Sequence, residues 1–187
     1  SCKLLLGPSH ALLREVFYAT KKKLRRRDGV LRRILVFYGG SDATCETEKA
    51  IHVLLQLYLS AVVADVIVGG SNPRRAYIEE LCGKHDFLRY HCQVSNMAEL
   101  MAQADLCLGA GGTTTWERCF LGLPAIVTAI AENQLEVCRD CAEMGYIYYL
   151  GRWDEVTEED IAAAVQKCTM PQVLREMQRR CQRIGGP

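Results

Sequence analysis

The chain reads as an α/β domain built on a Rossmann-like parallel sheet of about six strands with helices on both faces. Three observations predict this fold. Short apolar runs rich in Val, Ile, Leu and Tyr recur along the sequence. Each is followed by a segment with helical spacing or helix-start residues. Several of the runs end in glycine-rich or polar turns. Alternating strands and helices make crossover connections, which give parallel strands covered on both sides.

The expected strands lie at residues 34–38, 64–69, 86–91, 105–109, 124–129 and 146–150. Thr44 opens a long helix to residue 59 that carries Ile51, Leu54, Leu55 and Tyr58 on one face. Pro73 opens the next, which ends near Gly83. Asn96 is placed to cap residues 97–104, and Thr113 to cap a helix that runs to Leu121 and is stopped by Gly122 and Pro124. A helix over residues 132–144 ends at Gly145, Thr157 caps residues 158–168, and Pro171 begins a last amphipathic helix to about residue 183. There is no internal repeat of fixed period.

A length of 187 residues, 49% of them hydrophobic, suffices to bury the core of one domain. The net charge of +1 gives no global pull toward nucleic acid. No apolar run reaches the ~18 residues of a membrane span, and no leader pattern is seen, so a soluble, cytoplasmic chain without membrane insertion is expected. The basic run at residues 21–27, followed by Arg32 and Arg33, reads as a solvated linker. Residues 1–30 are therefore assigned to an interdomain linker and basic segment, and 31–187 to the ligand-binding domain. The first residues, in mid-pattern without a methionine, and the closing Gly185, Gly186 and Pro187 read as the ends of a piece of a longer protein.

Ten cysteines sit mostly inside strand and helix patterns, so free thiols in a reducing compartment are expected rather than a disulfide framework. Cys138 and Cys141 have the spacing of a redox or metal pair. They fall on a helix with no second pair and no nearby histidines, and no metal or other cofactor is expected.

The richest signal is the run from Leu106 to Glu117, where an apolar strand breaks into Gly111, Gly112, Thr113, Thr114 and Thr115 and a helix begins. Such a turn offers backbone N–H groups and hydroxyls to an anion, as a diphosphate cradle does. Glu117, about one turn into the helix, is placed for the paired hydroxyls of a ribose. Gly39, Gly40, Ser41 and Asp42 form a second turn of this kind, and Asn133 and Gln134 follow a third strand. Polar groups at the ends of three strands fit the rule that open parallel sheets bind ligands at their carboxyl edge. A nucleotide sugar leads the ligand classes.

Phe37-Tyr-Gly-Gly-Ser-Asp42, residues 96–105, Gly109-Ala-Gly-Gly-Thr-Thr-Thr-Trp-Glu-Arg118, residues 122–124 and Ala131-Glu-Asn-Gln134 together resemble the C-terminal half of the nucleotide-sugar hydrolases of bacterial pseudaminic acid biosynthesis. Those enzymes release UDP from a UDP-linked diacetamido-trideoxy-altropyranose. Residues 5–14 are similar to the segment that precedes the family's second domain. The resemblance implies the C-terminal domain of a glycosyltransferase-B fold, with a UDP-sugar as ligand and an N-terminal domain of the same polypeptide as partner. It assigns Gly111 to Thr115 to the diphosphate, Glu117 to the ribose, and Asn133 and Gln134 to sugar or phosphate. The backbone around Val94, Ser95 and Met97 would lie beside uracil, and Gly40 and Ser41 would close the phosphate site.

The family's hydrolytic histidine belongs to the other domain. His10, His52, His85 and His91 read as structural or solvated, so no catalytic residue is expected in this chain. The alternative is the donor-binding domain of a glycosyltransferase-B enzyme for surface or spore-coat polysaccharide. A regulatory domain that keeps the fold without activity is a third reading.

Overall fold

The computed structural model describes residues 13–59 and 61–183. The similarity noted for residues 5–14, together with Cys2, His10 and the last four residues, lies wholly or mostly outside them.

The chain order is α1 (Glu15–Lys21), β1 (Arg33–Phe37), α2 (Glu46–Leu57), β2 (Val63–Val68), α3 (Arg75–Gly83), β3 (Leu88–Cys92), α4 (Met97–Gln103), β4 (Leu106–Ala110), α5 (Thr114–Phe120), β5 (Ala125–Ala129), α6 (Leu135–Glu143), β6 (Tyr148–Arg152), α7 (Glu158–Cys168) and α8 (Pro171–Gln182). The six strands form one sheet in the order β3-β2-β1-β4-β5-β6, and every pairing is parallel. The α/β expectation is met.

Alternation along each strand builds two cores. Ile34, Val36, Leu106, Leu108 and Ile126 point to the face covered by α2, α3, α7 and α8. Leu35, Cys107, Ala125, Val127 and Ala129 point to the face covered by α1, α4, α5 and α6. Both faces of β4 and β5 are fully buried, which is why these strands read as continuous apolar runs.

Helix and strand ends differ from expectation for local reasons. α2 starts at Glu46 rather than Thr44 because Asp42 and Cys45 are left-handed (φ 42° and 60°) and the Asp42 carboxylate accepts from the N–H groups of Glu46 and Thr47 (3.0 and 2.9 Å). The helix stops at Leu57, and Tyr58 turns out at φ 44°, 92% exposed instead of lying on the buried face. β6 begins late because residues 145 and 146 close α6. Tyr146 N–H donates to Cys141 O (2.8 Å) and Gly145 N–H to Ala142 O (2.8 Å), with Gly145 at φ +72°. Thr157 does cap α7, in a reciprocal box with Asp160. Asn96 and Thr113 make no side-chain cap bond. The nine described cysteines are all free.

Residues 13–30 are not a uniformly solvated strip. α1 buries Phe17 completely and packs against α4 and α5. Arg27 is buried and donates to the carbonyls of Met101, Ala104 and Leu121 (2.9, 2.8 and 2.7 Å), with longer bonds to Ala102 and Gly122. These carbonyls end α4 and α5, where the unpaired C=O groups of a helix collect. Lys22, Lys23 and Arg26 remain exposed. Burial pulls the Arg27 guanidinium down to about 10, still charged at neutral pH.

Arg27→Ala is expected to leave several buried carbonyls without donors and to cost about 2–4 kcal/mol in chemical denaturation. Arg26→Ala, at an exposed position, is expected to change stability by less than ~0.5 kcal/mol.

Candidate functional site

β1 pairs with β2 on one side and β4 on the other, so the chain winds outward in both directions from the β1/β4 boundary. A crevice opens at the carboxyl ends of strands at such a reversal. The Phe37–Gly109 register puts the loop after β1 beside the loop after β4. Gly109 has to be glycine here: a Cβ would sit 2.5 Å from the Phe37 carbonyl.

The loop after β4 is pressed from below. A Cβ on the buried Gly111 would meet Cys138 Sγ of α6 at 2.1 Å, so this loop lies directly on that helix. Gly112 O accepts from Thr115 N–H (3.0 Å) and Thr113 O from Trp116 N–H (3.2 Å), closing the turn. Thr113 is exposed and Thr114 half-buried. Thr115 departs from expectation. It is 1% exposed, and its hydroxyl accepts from Arg118 (2.9 Å), so its side chain is turned inward. α5 is a seven-residue helix and contributes little dipole.

After β5, Gln134 accepts from Ile130 N–H through Oε1 (3.0 Å), and its Nε2 faces Gly112 across the crevice. Asn133 is exposed beside it. The short 3-10 turn that carries both, Glu132–Gln134, is tied to β6 by the Glu132–Arg152 ion pair (2.6 Å).

The turn after β1 is built differently from the one after β4. The Asp42 carboxylate already satisfies the start of α2, so that helix end is not open to a ligand anion. Gly40 packs backbone to backbone on Gly69 and its carbonyl accepts from Ser71 Oγ (3.0 Å); Ser41 is exposed. The connection from β3 to α4 crosses the end of β2, where Gln93 packs on Gly70. Ser95 is exposed and Val94 half-buried, while Met97 is 8% exposed and belongs to the core, leaving it only a backbone role at the site.

Glu117 is half-buried and paired with Arg14, which precedes α1 (3.2 Å from Nη2). Sequence reasoning missed this partner and also missed Arg118, whose side chain is buried under the 111–115 loop. The one signal for Arg118 was its place on the inward face of α5, three residues beyond Thr115. His52 pairs with Glu158 (3.2 Å), His91 with Asp65 (2.9 Å), and His85 packs on Phe87. None of the three reaches the crevice loops.

A parallel sheet of this order, with polar loops gathered at its switch point, defines a doubly wound α/β domain of Rossmann-like type. The chain belongs to the family described as the glycosyltransferase family 28 C-terminal domain, whose model matches residues 34–183. An uncharacterized protein of Methanocaldococcus jannaschii is 33% identical over 143 residues, covering 72% of this chain and 28% of the relative. The spore coat polysaccharide biosynthesis protein SpsG of Bacillus subtilis is 26% identical over 162 residues, covering 83% and 46%. The chain thus spans less than half the length of these curated relatives. Among solved structures, MurG of Acinetobacter baumannii superposes with a TM-score of 0.68 at 18% identity, covering 98% of this chain and 52% of that one. The spinosyn rhamnosyltransferase SpnG in complex with thymidine diphosphate gives 0.67 at 19%, covering 86% and 42%. These likenesses establish the glycosyltransferase-B C-terminal fold.

Glu46, next to the β1 turn, is fully buried, with Lys49 at 2.9 Å. Burial raises its carboxyl above the usual 4.5, outweighing the downward pull of Lys49. Between 4.5 and the raised value the folded chain keeps a proton more readily than the unfolded chain, so stability falls as pH rises through that window. Glu46→Gln, which mimics the protonated acid, is expected to melt higher than wild type at about pH 7 and to lose that advantage at about pH 4. Thermal melts at both values check this.

Proposed function

We propose that this chain is the donor-binding domain of a two-domain glycosyltransferase-B enzyme that uses a UDP-sugar to build a surface or spore-coat polysaccharide. The observation that carries the reading is the convergence of the 111–114 loop, Gln134 and the 40–41 turn at the β1/β4 switch point of a family 28 domain. In this reading the N–H groups of Gly111 and Gly112 and the hydroxyls of Thr113 and Thr114 hold the diphosphate. Glu117 accepts from the ribose hydroxyls. The backbone at residues 94–97 lies beside uracil, Gln134 Nε2 and Asn133 meet the sugar or phosphate, and Gly40 and Ser41 close the phosphate side. Thr115 supports the loop from beneath.

Residues 1–30 would lead from a preceding domain that supplies the acceptor site and the catalytic base. The donor domain alone would bind without turning over. A second reading, the nucleotide-sugar hydrolase, is supported by the motifs at residues 109–118 and 131–134. Release of free sugar and UDP by the longer protein with no acceptor present would decide for hydrolysis. Release only with a saccharide acceptor would decide for transfer.

If Glu117 accepts from both ribose hydroxyls, Glu117→Ala is expected to weaken UDP binding by about 1.5–3 kcal/mol, roughly ten- to a hundredfold, with Glu117→Gln recovering part. Deoxy-UDP should bind wild type more weakly than UDP and the alanine variant equally. Calorimetric titration that finds equal binding of UDP and deoxy-UDP to wild type, and normal UDP binding to Glu117→Ala, would remove Glu117 from the site.

A further inference from the structure

Beneath the 111–115 loop lies a cation with no counter-ion among the described residues. The Arg118 side chain is 1% exposed. Its Nη2 donates to Ala110 O and to Thr115 Oγ1, both at 2.9 Å, and so holds the loop at its two ends. Nη1 has only the weak acceptor Cys107 Sγ at 4.0 Å, and Nε has no hydrogen-bond partner. No described carboxylate pairs with it, and the adjacent Glu117 is turned to Arg14.

Cys107 is the thiol that Nη1 reaches, and the thiols within electrostatic range of this guanidinium are neutral. Burial raises Cys107, takes Cys138 to about 11 and Cys141 to about 12, and the contact with Cys181 together with burial raises Cys119. A thiol in that range holds its proton at neutral pH and cannot balance the charge. Arg27 shows the contrast: it too is buried without a carboxylate bonded to it, but five carbonyls at two helix ends receive its donors. An arginine stays charged in any environment, and a buried charge without compensation is costly.

We infer that Arg118 is a positioning residue whose buried charge is balanced by the donor's diphosphate on the loop above it, so that the site selects a diphosphate over a monophosphate or a bare nucleoside. The inference rests on the donor-site reading and extends it. Arg118 does not touch the ligand. It acts through Ala110 and Thr115, which it fixes, and through its field, which is weakly screened in a water-poor interior.

The test titrates UDP, UMP and uridine into wild type, Arg118→Met and Arg118→Lys. Wild type is expected to prefer UDP to UMP by about tenfold or more. Arg118→Met should lower UDP affinity by roughly ten- to a hundredfold, UMP affinity less, and uridine affinity little; Arg118→Lys should restore much of the UDP-to-UMP ratio. A merely structural arginine would weaken all three ligands alike and leave the ratio where it was, which would overturn the inference. Should Arg118→Met fail to fold, the Nε–Hε resonance of Arg118 in the wild-type chain decides. It should shift on saturation with UDP and stay with uridine, and an unmoved signal in UDP overturns the proposal. Absence of UDP binding by wild type overturns the donor-site reading itself, whereas UDP binding with an unchanged ratio overturns only the role of Arg118.

Discussion

The pairing of β1 with both β2 and β4 is the constraint from which the rest of the structure follows. Because β1 sits in the middle of the sheet and the crossovers run outward from it, the loops that leave β1 and β4 rise on either side of one boundary. Their backbones are held within contact distance by Gly109, whose missing side chain lets it lie against the Phe37 carbonyl. Each strand beside that boundary is apolar on both faces and buried by helices on both sides. The sheet is thus rigid where polar groups have to be placed, and those groups sit on short loops at its edge.

The crevice is shaped by close approaches more than by long side chains. Gly111 rests on Cys138, Gly40 on Gly69, and Gly70 on Gln93. Glycine at these points brings one backbone against another segment. Charge is distributed with equal economy. Asp42 is spent on capping α2, Glu132 on anchoring the 3-10 turn, and Glu117 is engaged by Arg14. Arg118, buried directly below the glycine loop, has no carboxylate partner among the described residues.

Much of this was legible in the sequence because the strands are buried on both faces and leave an unmistakable run of apolar residues. The starts of α4, α5, α7 and α8 were legible from residue type, and at one of them a side chain does the capping. Thr157 followed by Asp160 is that case, whereas Asn96 and Thr113 have the right residue types and make no cap bond. In the basic run before residue 31 the burial of Arg27 was not legible, because a run of lysines and arginines looks solvated whatever its members touch. Arg27 is tethered by the carbonyl ends of α4 and α5, more than seventy residues away in sequence. Tyr58 erred the other way, an aromatic residue at helical spacing that falls one position past the helix. Of the site, the glycine loop, Glu117 and Gln134 could be read in advance, since their chemistry is local. Thr115 and Arg118 could not, because which way a residue on a short helix faces depends on packing against β4 and α6.

The most direct measurement of the central claim is a crystal structure of the chain with UDP. The account predicts the diphosphate on the backbone of Gly111 and Gly112, with the ribose toward Glu117 and the base toward residues 94–97. UDP seated elsewhere, for example in the groove of about 830 Å³ lined by Leu54, Leu55, Tyr58 and Phe87 at the opposite edge of the sheet, would contradict it.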